Sequence, residues 1–346
     1  GTESMSAPTL EVRGLKTHFF TRDGVVRAVD GVSFSVGAGE VLGLVGESGS
    51  GKSITGFSIL GLIDQPGRIA EGQILFQGRD LVPLAESERR KLRGSKIAMI
   101  FQDPMMTLNP VLRIDTQMTE AVMAHRDVSK ARALEIARAA LVKVGIPSPD
   151  ERLTAYPHQF SGGMRQRVAI AIAFLNEPEL IIADEPTTAL DVTIQGQILH
   201  EAQTLCRETG TAMIWITHDL AVVAGLADRI CVMYAGRIVE QGPLDAVLDE
   251  PAHPYTVGLI GSVPSRNRRG SRLFQIPGMT PSLLNIEPGC AFRNRCPRAS
   301  AACLEEPPVI AGSNGREVRC FNPHEGPLEK AIQAEQRDVD AREALL

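Results

Sequence analysis

Along residues 9–80, short apolar runs alternate with turn-forming residues. Val32-Ser33-Phe34-Ser35-Val36 alternates at period two, the pattern of a strand with one buried face. Val41-Leu42-Gly43-Leu44-Val45 is apolar throughout, which predicts a strand covered on both faces. It runs into a glycine-rich loop and then an apolar helix over about 52–62. Between about 103 and 178 the period becomes helical. Leu134, Ala137, Leu141 and Val144 fall on one face, with Ser129 at the N-cap and Gly145 past the C-terminus. Strand patterns resume at 180–183, 212–217 and 229–234, separated by helical segments, and such alternation predicts a parallel sheet flanked by helices. Beyond about Pro251 the periodicity fades and Pro, Gly and Arg become frequent, which reads as a linker and a small, loop-rich module. From about Leu328 the chain is charged and alanine-rich, a helix or a frayed tail. No internal repeat is visible.

Composition narrows the class. The chain has 346 residues, 43% apolar and 22% charged, as ordinary globular proteins do. A net charge of −5 and a pI of about 5.9 argue against a nucleic-acid partner, which selects for a basic surplus. No apolar run approaches the roughly 18 residues of a spanning helix; the richest, 168–175, is far shorter. The N-terminus lacks the charged flank and apolar segment of a signal peptide, and Gly1-Thr2-Glu3-Ser4 ahead of Met5 reads as a non-native leader. Membrane association is therefore expected through partner subunits.

Two stretches carry chemistry. Gly46-Glu47-Ser48-Gly49-Ser50-Gly51-Lys52-Ser53 matches G-x-x-x-x-G-K-[ST]. Glycines let the backbone curl until successive N–H groups face phosphate oxygens, and the following helix adds its positive end. In this pattern Gly46, Ser48, Gly49, Ser50 and Gly51 form the cradle, Lys52 reaches the β- and γ-phosphates, and the Ser53 hydroxyl ligates Mg²⁺. Leu180-Ile181-Ile182-Ala183-Asp184-Glu185 is an apolar strand ending in two carboxylates. It delivers Asp184 to the sheet edge, where it can hold Mg²⁺ through water, and sets Glu185 to polarise an attacking water.

Phe160-Ser161-Gly162-Gly163-Met164 resembles the signature of ABC ATPases, usually Leu-Ser-Gly-Gly-Gln. It differs at both flanking positions and keeps the serine–glycine–glycine centre. The resemblance spans about 9–262 and carries six ordered motifs. It implies that Ser161, Gly162 and Gly163 form a helix end facing the γ-phosphate held by the opposite subunit, so that two chains sandwich two ATPs. It further implies that Gln102 is the Q-loop Mg²⁺ ligand, that Ala189-Leu190-Asp191 is the D-loop, that His218 is the switch histidine on the γ-phosphate, and that Phe19 stacks on adenine. The implied fold is α/β, of the P-loop NTPase (RecA-like) type: a parallel sheet core with an antiparallel β subdomain, a helical subdomain and a small cysteine-rich C-terminal extension. The corresponding boundaries are 5–262 for the nucleotide-binding domain, with its helical part at about 103–178, then 263–327 for the extension and 328–346 for the tail.

Phe101-Gln102-Asp103-Pro104-Met105, Leu108-Asn109-Pro110, Tyr156-Pro157-His158-Gln159 and His253-Pro254-Tyr255-Thr256 look like dipeptide and oligopeptide permease ATPases. That branch implies an importer assembly on the cytoplasmic side of the inner membrane. Its parts would be a second ATPase subunit, often a non-identical homologue, two transmembrane permease subunits and an extracytoplasmic solute-binding protein, with no nucleic acid. Nickel, glutathione and opine importers share the cassette type and remain open as cargo classes. A soluble ABC ATPase of DNA repair or translation is the rival reading; a single cassette, an acidic balance and no long heptads argue against it.

Six cysteines remain. Cys206 and Cys231 stand alone and are expected to be buried as small hydrophobes. Cys290, Cys296, Cys303 and Cys320 could hold a [4Fe–4S] cluster or a structural Zn²⁺, or remain free thiols. The C-x₂₋₄-C pairs of zinc sites are missing, and the branch resemblance favours the cluster.

Overall fold

A computed structural model describes residues 7–266 and 273–344. The chain divides into two units. The first comprises 7–11, 35–41 and 75–216; the second comprises 12–34, 42–74 and the described residues from 217 onward.

In the first unit, the strands Ile97–Ile100, Leu180–Asp184 and Ala212–Thr217 run parallel, with Ile97 opposite Leu180 and Leu180 opposite Ala212. Leu180, Ile181, Ile182 and Ala183 are fully buried, as a strand covered on both faces requires. This register brings Asp184, the last residue of its strand, opposite Ile216. The helices include Ile114–Met123, Lys130–Lys143, Gly162–Phe174 and Val192–Thr209. Ser129 caps Lys130–Lys143 by accepting the Arg132 N–H at 3.1 Å, and Gly145 follows at φ +72°. The buried stripe of this helix differs from the expected one at its first position only. It is Ala133, Ala137, Leu141 and Val144, while Leu134 is 41% exposed. One residue is 100° of helical rotation, and steps of four and three from Ala133 hold one face. Two small alanines at that end also bring the helix nearer its neighbours than a leucine would.

In the second unit, Val41–Val45 runs parallel to Arg229–Tyr234, Leu42 opposite Arg229 and Val45 opposite Val232. A Cβ on Gly43 would lie 2.4 Å from Val223, so glycine permits the close crossing of helix Leu220–Ala224. Arg229–Tyr234 continues into antiparallel pairing with Arg237–Pro243, which pairs with Glu317–Arg319, and that in turn with Val309–Ala311. A second sheet places Leu10–Thr21 between Gly24–Val36 and Gly67–Phe76; the first two are joined by two residues and so form an antiparallel hairpin.

Pro254–Gly261 is a helix in the stretch where periodicity had faded. Seven of its eight residues are buried, and a helix apolar all round offers no polar face to mark a period. The charged tail is also helical, Leu328–Glu343. Ala331 and Glu335 are buried, Glu335 Oε1 meets His324 Nε2 at 2.6 Å, and Arg342 donates to the Cys296 carbonyl at 2.9 Å.

Candidate functional site

The phosphate loop is shaped by its glycines. Gly46, Gly49 and Gly51 have φ of +157°, +80° and +97°. A Cβ would lie 2.3 Å from the Met233 carbonyl oxygen at Gly46 and 2.2 Å from that of Ala28 at Gly51, so both positions require glycine on contact as well as on conformation. The Gly236 N–H donates to the Ser50 carbonyl at 2.9 Å and pins the loop from behind. Gly51 caps the helix Lys52–Leu60 in the left-handed conformation without a side chain on the first N–H groups. Lys52 is 6% exposed, and its ammonium donates to the carbonyls of Gly46 and Glu47 at 2.8 and 2.9 Å. The cation therefore sits against the carbonyls at the start of the loop.

Phe19 is half-buried, and a Cβ on Gly67 would come within 2.5 Å of its ring. Phe20 is 38% exposed, with the Arg68 guanidinium 4.4 Å from its ring centre. His218 is exposed just past the strand Ala212–Thr217, and Asp219 beside it caps the next helix by accepting the Ala221 N–H at 2.9 Å.

The first unit holds the carboxylates. Glu185 stands at φ +48°, left-handed backbone that a side chain other than glycine rarely adopts and that clusters at functional sites. Its N–H is held by the Ile216 carbonyl at 2.8 Å, and its Oε2 accepts the Thr188 hydroxyl at 2.8 Å. Asp184 is half-buried, and Gln102 is exposed two residues past its strand. Sequence reasoning missed Gln166. It is fully buried and donates to the Phe101 carbonyl at 3.1 Å and the Pro186 carbonyl at 2.6 Å, tying together the loops that follow two strands. Flanked by Arg165 and Arg167, it carries no local sign of burial in the sequence.

Ser161 caps that helix, Gly162–Phe174, accepting the Met164 N–H at 3.3 Å. Ser161 and Gly162 are exposed. Gly163 is buried, and a Cβ there would be 3.0 Å from Ile194. Phe160 is 4% exposed, with the Arg152 guanidinium 5.5 Å from its ring centre. It fills an apolar anchor position, and the exposed part of the motif is the serine and the first glycine. Asp191 caps the helix Val192–Thr209 by accepting the Ile194 N–H at 3.0 Å.

The four clustered cysteines lie in one unit. Cys296, Cys303 and Cys320 are buried and Cys290 is half-buried. The Cys290 N–H donates to the Cys303 carbonyl at 3.0 Å. Each sulfur has a nearby donor: the N–H groups of Phe292 and Arg293 for Cys290, that of Arg298 for Cys296, the Asn322 side chain at 3.8 Å for Cys303, and the Asn322 N–H at 3.3 Å for Cys320. Burial pushes the Cys290 and Cys296 thiols up and Cys320 to about 11. Among the described residues, no three or more His, Cys, Asp or Glu side chains are grouped to hold a single metal ion. Cys206 and Cys231 are fully buried. Among the described residues, no helix is long and apolar enough to cross a membrane.

Residues 29–188 match the ABC transporter family model, and residues 239–303 match that of the oligopeptide/dipeptide transporter C-terminal region. The chain is 50% identical over 316 residues to the oligopeptide transport ATP-binding protein OppD of Salmonella typhimurium (strain LT2), covering 91% of this chain and 94% of that one. It is 50% identical over 314 residues to the dipeptide transport ATP-binding protein DppD of Bacillus subtilis (strain 168), covering 90% and 94%. Among solved structures, the dimeric structure of a bacterial ABC transporter cassette superposes with a TM-score of 0.61 at 26% identity, covering 68% of this chain and 98% of that one. With half its residues shared over nine-tenths of its length, the chain belongs to the ABC transporter ATP-binding proteins, in their oligopeptide and dipeptide branch.

Proposed function

We propose that the chain binds and hydrolyses ATP to drive uptake of oligopeptides or dipeptides through partner permease subunits, docked on the cytoplasmic face of the membrane. In this reading the loop 46–53 binds the phosphates. Ser53, Gln102 and Asp184 serve Mg²⁺, Glu185 polarises water, His218 meets the γ-phosphate, and Phe19 stacks on adenine. Ser161, Gly162, Gly163 and Asp191 act on the nucleotide of a second ATPase subunit. The observation that carries the reading is the exposed helix end at Ser161 and Gly162. A helix N-terminus open to solvent attracts an anion, and two such chains, each with a complete phosphate loop, would present two sandwiched sites. ATP binding that glues the pair and hydrolysis that loosens it would shift the permease between inward- and outward-facing populations. The test is co-purification of the chain with permease subunits and a solute-binding protein, with ATPase activity stimulated by peptide. Stimulation by nickel or an opine instead, with none by peptide, would replace the cargo and keep the motor.

For Cys290, Cys296, Cys303 and Cys320 we propose a [4Fe–4S] cluster with a structural or regulatory role. A zinc ion would need its thiolates within about 3.8 Å of one another, as Zn–S bonds of about 2.3 Å dictate; a cubane spaces its ligands more widely. Donors aimed at the sulfurs are what tunes bound clusters, and buried thiols lose their protons only against such a positive centre. Anaerobically purified protein should be brown and hold about four irons, and Cys320→Ser should lower the iron content. Colourless protein with stoichiometric zinc would overturn the cluster.

A further inference from the structure

Glu47, the second residue of the phosphate loop, is held at both backbone and side chain by residues more than 200 positions away. Its N–H donates to the Tyr255 hydroxyl at 2.9 Å. Its carboxylate meets Arg295 in a two-pronged ion pair, Nη1 to Oε2 at 2.8 Å and Nη2 to Oε1 at 3.2 Å. Arg295 is itself fixed. Its Nε donates to the Pro277 carbonyl at 2.8 Å, and its side chain is 7% exposed against 30% for Glu47. Its guanidinium lies 5.9 Å from the ring centres of both Tyr234 and Phe292. Those two rings and Tyr255 pack against one another with centroids 4.7–5.4 Å apart.

Tyr255 is placed with similar care. It opens the buried helix Pro254–Gly261, where the His253 Nδ1 accepts its N–H at 3.0 Å. Glu240 in turn accepts the N–H groups of Ala252 and His253 at 2.5 and 3.0 Å. The His253-Pro254-Tyr255 sequence thus aims one hydroxyl at the first peptide of the loop, while Arg295, between Cys290 and Cys296, aims a guanidinium at the adjoining side chain.

A phosphate loop works by turning N–H dipoles toward an anion. A bare carboxylate in that loop opposes the triphosphate, and more so where little solvent screens it. A bidentate arginine is the side chain suited to cancel such a charge and hold its direction. We propose that Arg295 is a positioning residue of the nucleotide loop: by pairing with Glu47 it keeps that carboxylate neutralised and turned away from bound ATP, so that ATP affinity depends on the folded cysteine module. The proposal rests on the reading of 46–53 as the ATP loop.

The experiment is calorimetric titration of Mg-ATP into the full-length chain. Arg295→Ala should weaken binding by roughly ten-fold, and Arg295→Lys, which keeps charge without the fork, by a smaller factor. Glu47→Gln should bind at least as tightly as the parent, because it removes the repelling charge and leaves the cation. Glu47→Gln/Arg295→Ala should recover most of the loss, and raising salt should shrink it. A role for Arg295 in folding the module alone would leave the double variant as weak as Arg295→Ala. That result, parent-like affinity in Arg295→Ala, or weakening by Glu47→Gln would each overturn the inference. Should Arg295→Ala fail to fold, the Lys and Gln variants carry the test by their opposite signs. An ATP affinity indifferent to Lys52→Ala would instead refute the loop reading itself.

Discussion

The two helix N-termini that the proposed function assigns to ATP are built differently. The helix Lys52–Leu60 starts from a left-handed Gly51 with no side-chain cap, and its loop is gripped by neighbours at Gly46, Ser50 and Gly51. Its lysine is nearly buried. The helix Gly162–Phe174 starts from Ser161 in extended conformation, which caps its own Met164 N–H, and both Ser161 and Gly162 are exposed. The first is a closed grip completed within one chain. The second is an open face, stable without an anion and suited to one brought by another molecule. That contrast is the division of labour the two-chain reading needs, and each end should fail in its own way.

The largest effects are expected at the phosphate loop and at Glu185, proposed to polarise water. Lys52→Ala should abolish ATP binding by the separate chain and lower turnover of the assembled transporter by at least ~10²-fold. Glu185→Gln should lower turnover by ~10²–10⁴-fold yet retain ATP and lock chains in pairs, visible as an ATP-dependent dimer on gel filtration. Normal turnover in Glu185→Gln would remove that residue from the chemistry. At the open face, Ser161→Arg should cut turnover of the assembled transporter by ~10-fold or more while the separate chain binds ATP as the parent does; weakened binding by the separate chain would erase the distinction between the two ends.

The glycines sharpen the contrast. Gly46→Ala forces a Cβ against a backbone oxygen and should eliminate nucleotide binding. Gly163→Ala meets only the Ile194 side chain at 3.0 Å, which can give way, and should lower stability by ~1 kcal/mol as read by thermal unfolding. The last effect, spread over a range of pH, concerns a third helix start, that of Pro254–Gly261. Burial pushes the Glu240 carboxyl from 4.5 up to about 7, although the N–H groups of Ala252 and His253 oppose the shift. The folded chain therefore keeps a proton that the unfolded chain releases. This contribution is complete below the unfolded value and is lost as pH rises through about 7, a change of ~1–3 kcal/mol. Glu240→Gln, which keeps an oxygen acceptor, should flatten the decline of melting temperature across that window; an unchanged slope would assign it to other groups.

Local chemistry made much of this legible in advance. The loop 46–53, the strand ending at Asp184, and the cap at Ser129 each follow from a few adjacent residues, because dihedral freedom, a strand's length and a cap's reach are short-range properties. Ala137, Leu141 and Val144 are buried as expected, and only the first position differs, because 133 and 134 both fit a helical step to 137 and only packing chooses between them. Pro254–Gly261 escaped notice because its burial on all sides leaves no alternation to read. Gln166, between two arginines, reads as one more polar residue in the sequence, and only the carbonyls of Phe101 and Pro186 reveal why it is buried.

The chain's own order of residues was enough for the family, because the glycine-rich loop, the pair of carboxylates and the serine–glycine helix start are each written within eight consecutive positions. Three-dimensional packing alone settled the left-handed Glu185, the burial of Cys296, Cys303 and Cys320 and the hold of Arg295 and Tyr255 on Glu47. The reason is physical: an ion pair across 248 positions is decided by which surfaces bury one another, and no short window of sequence contains both partners.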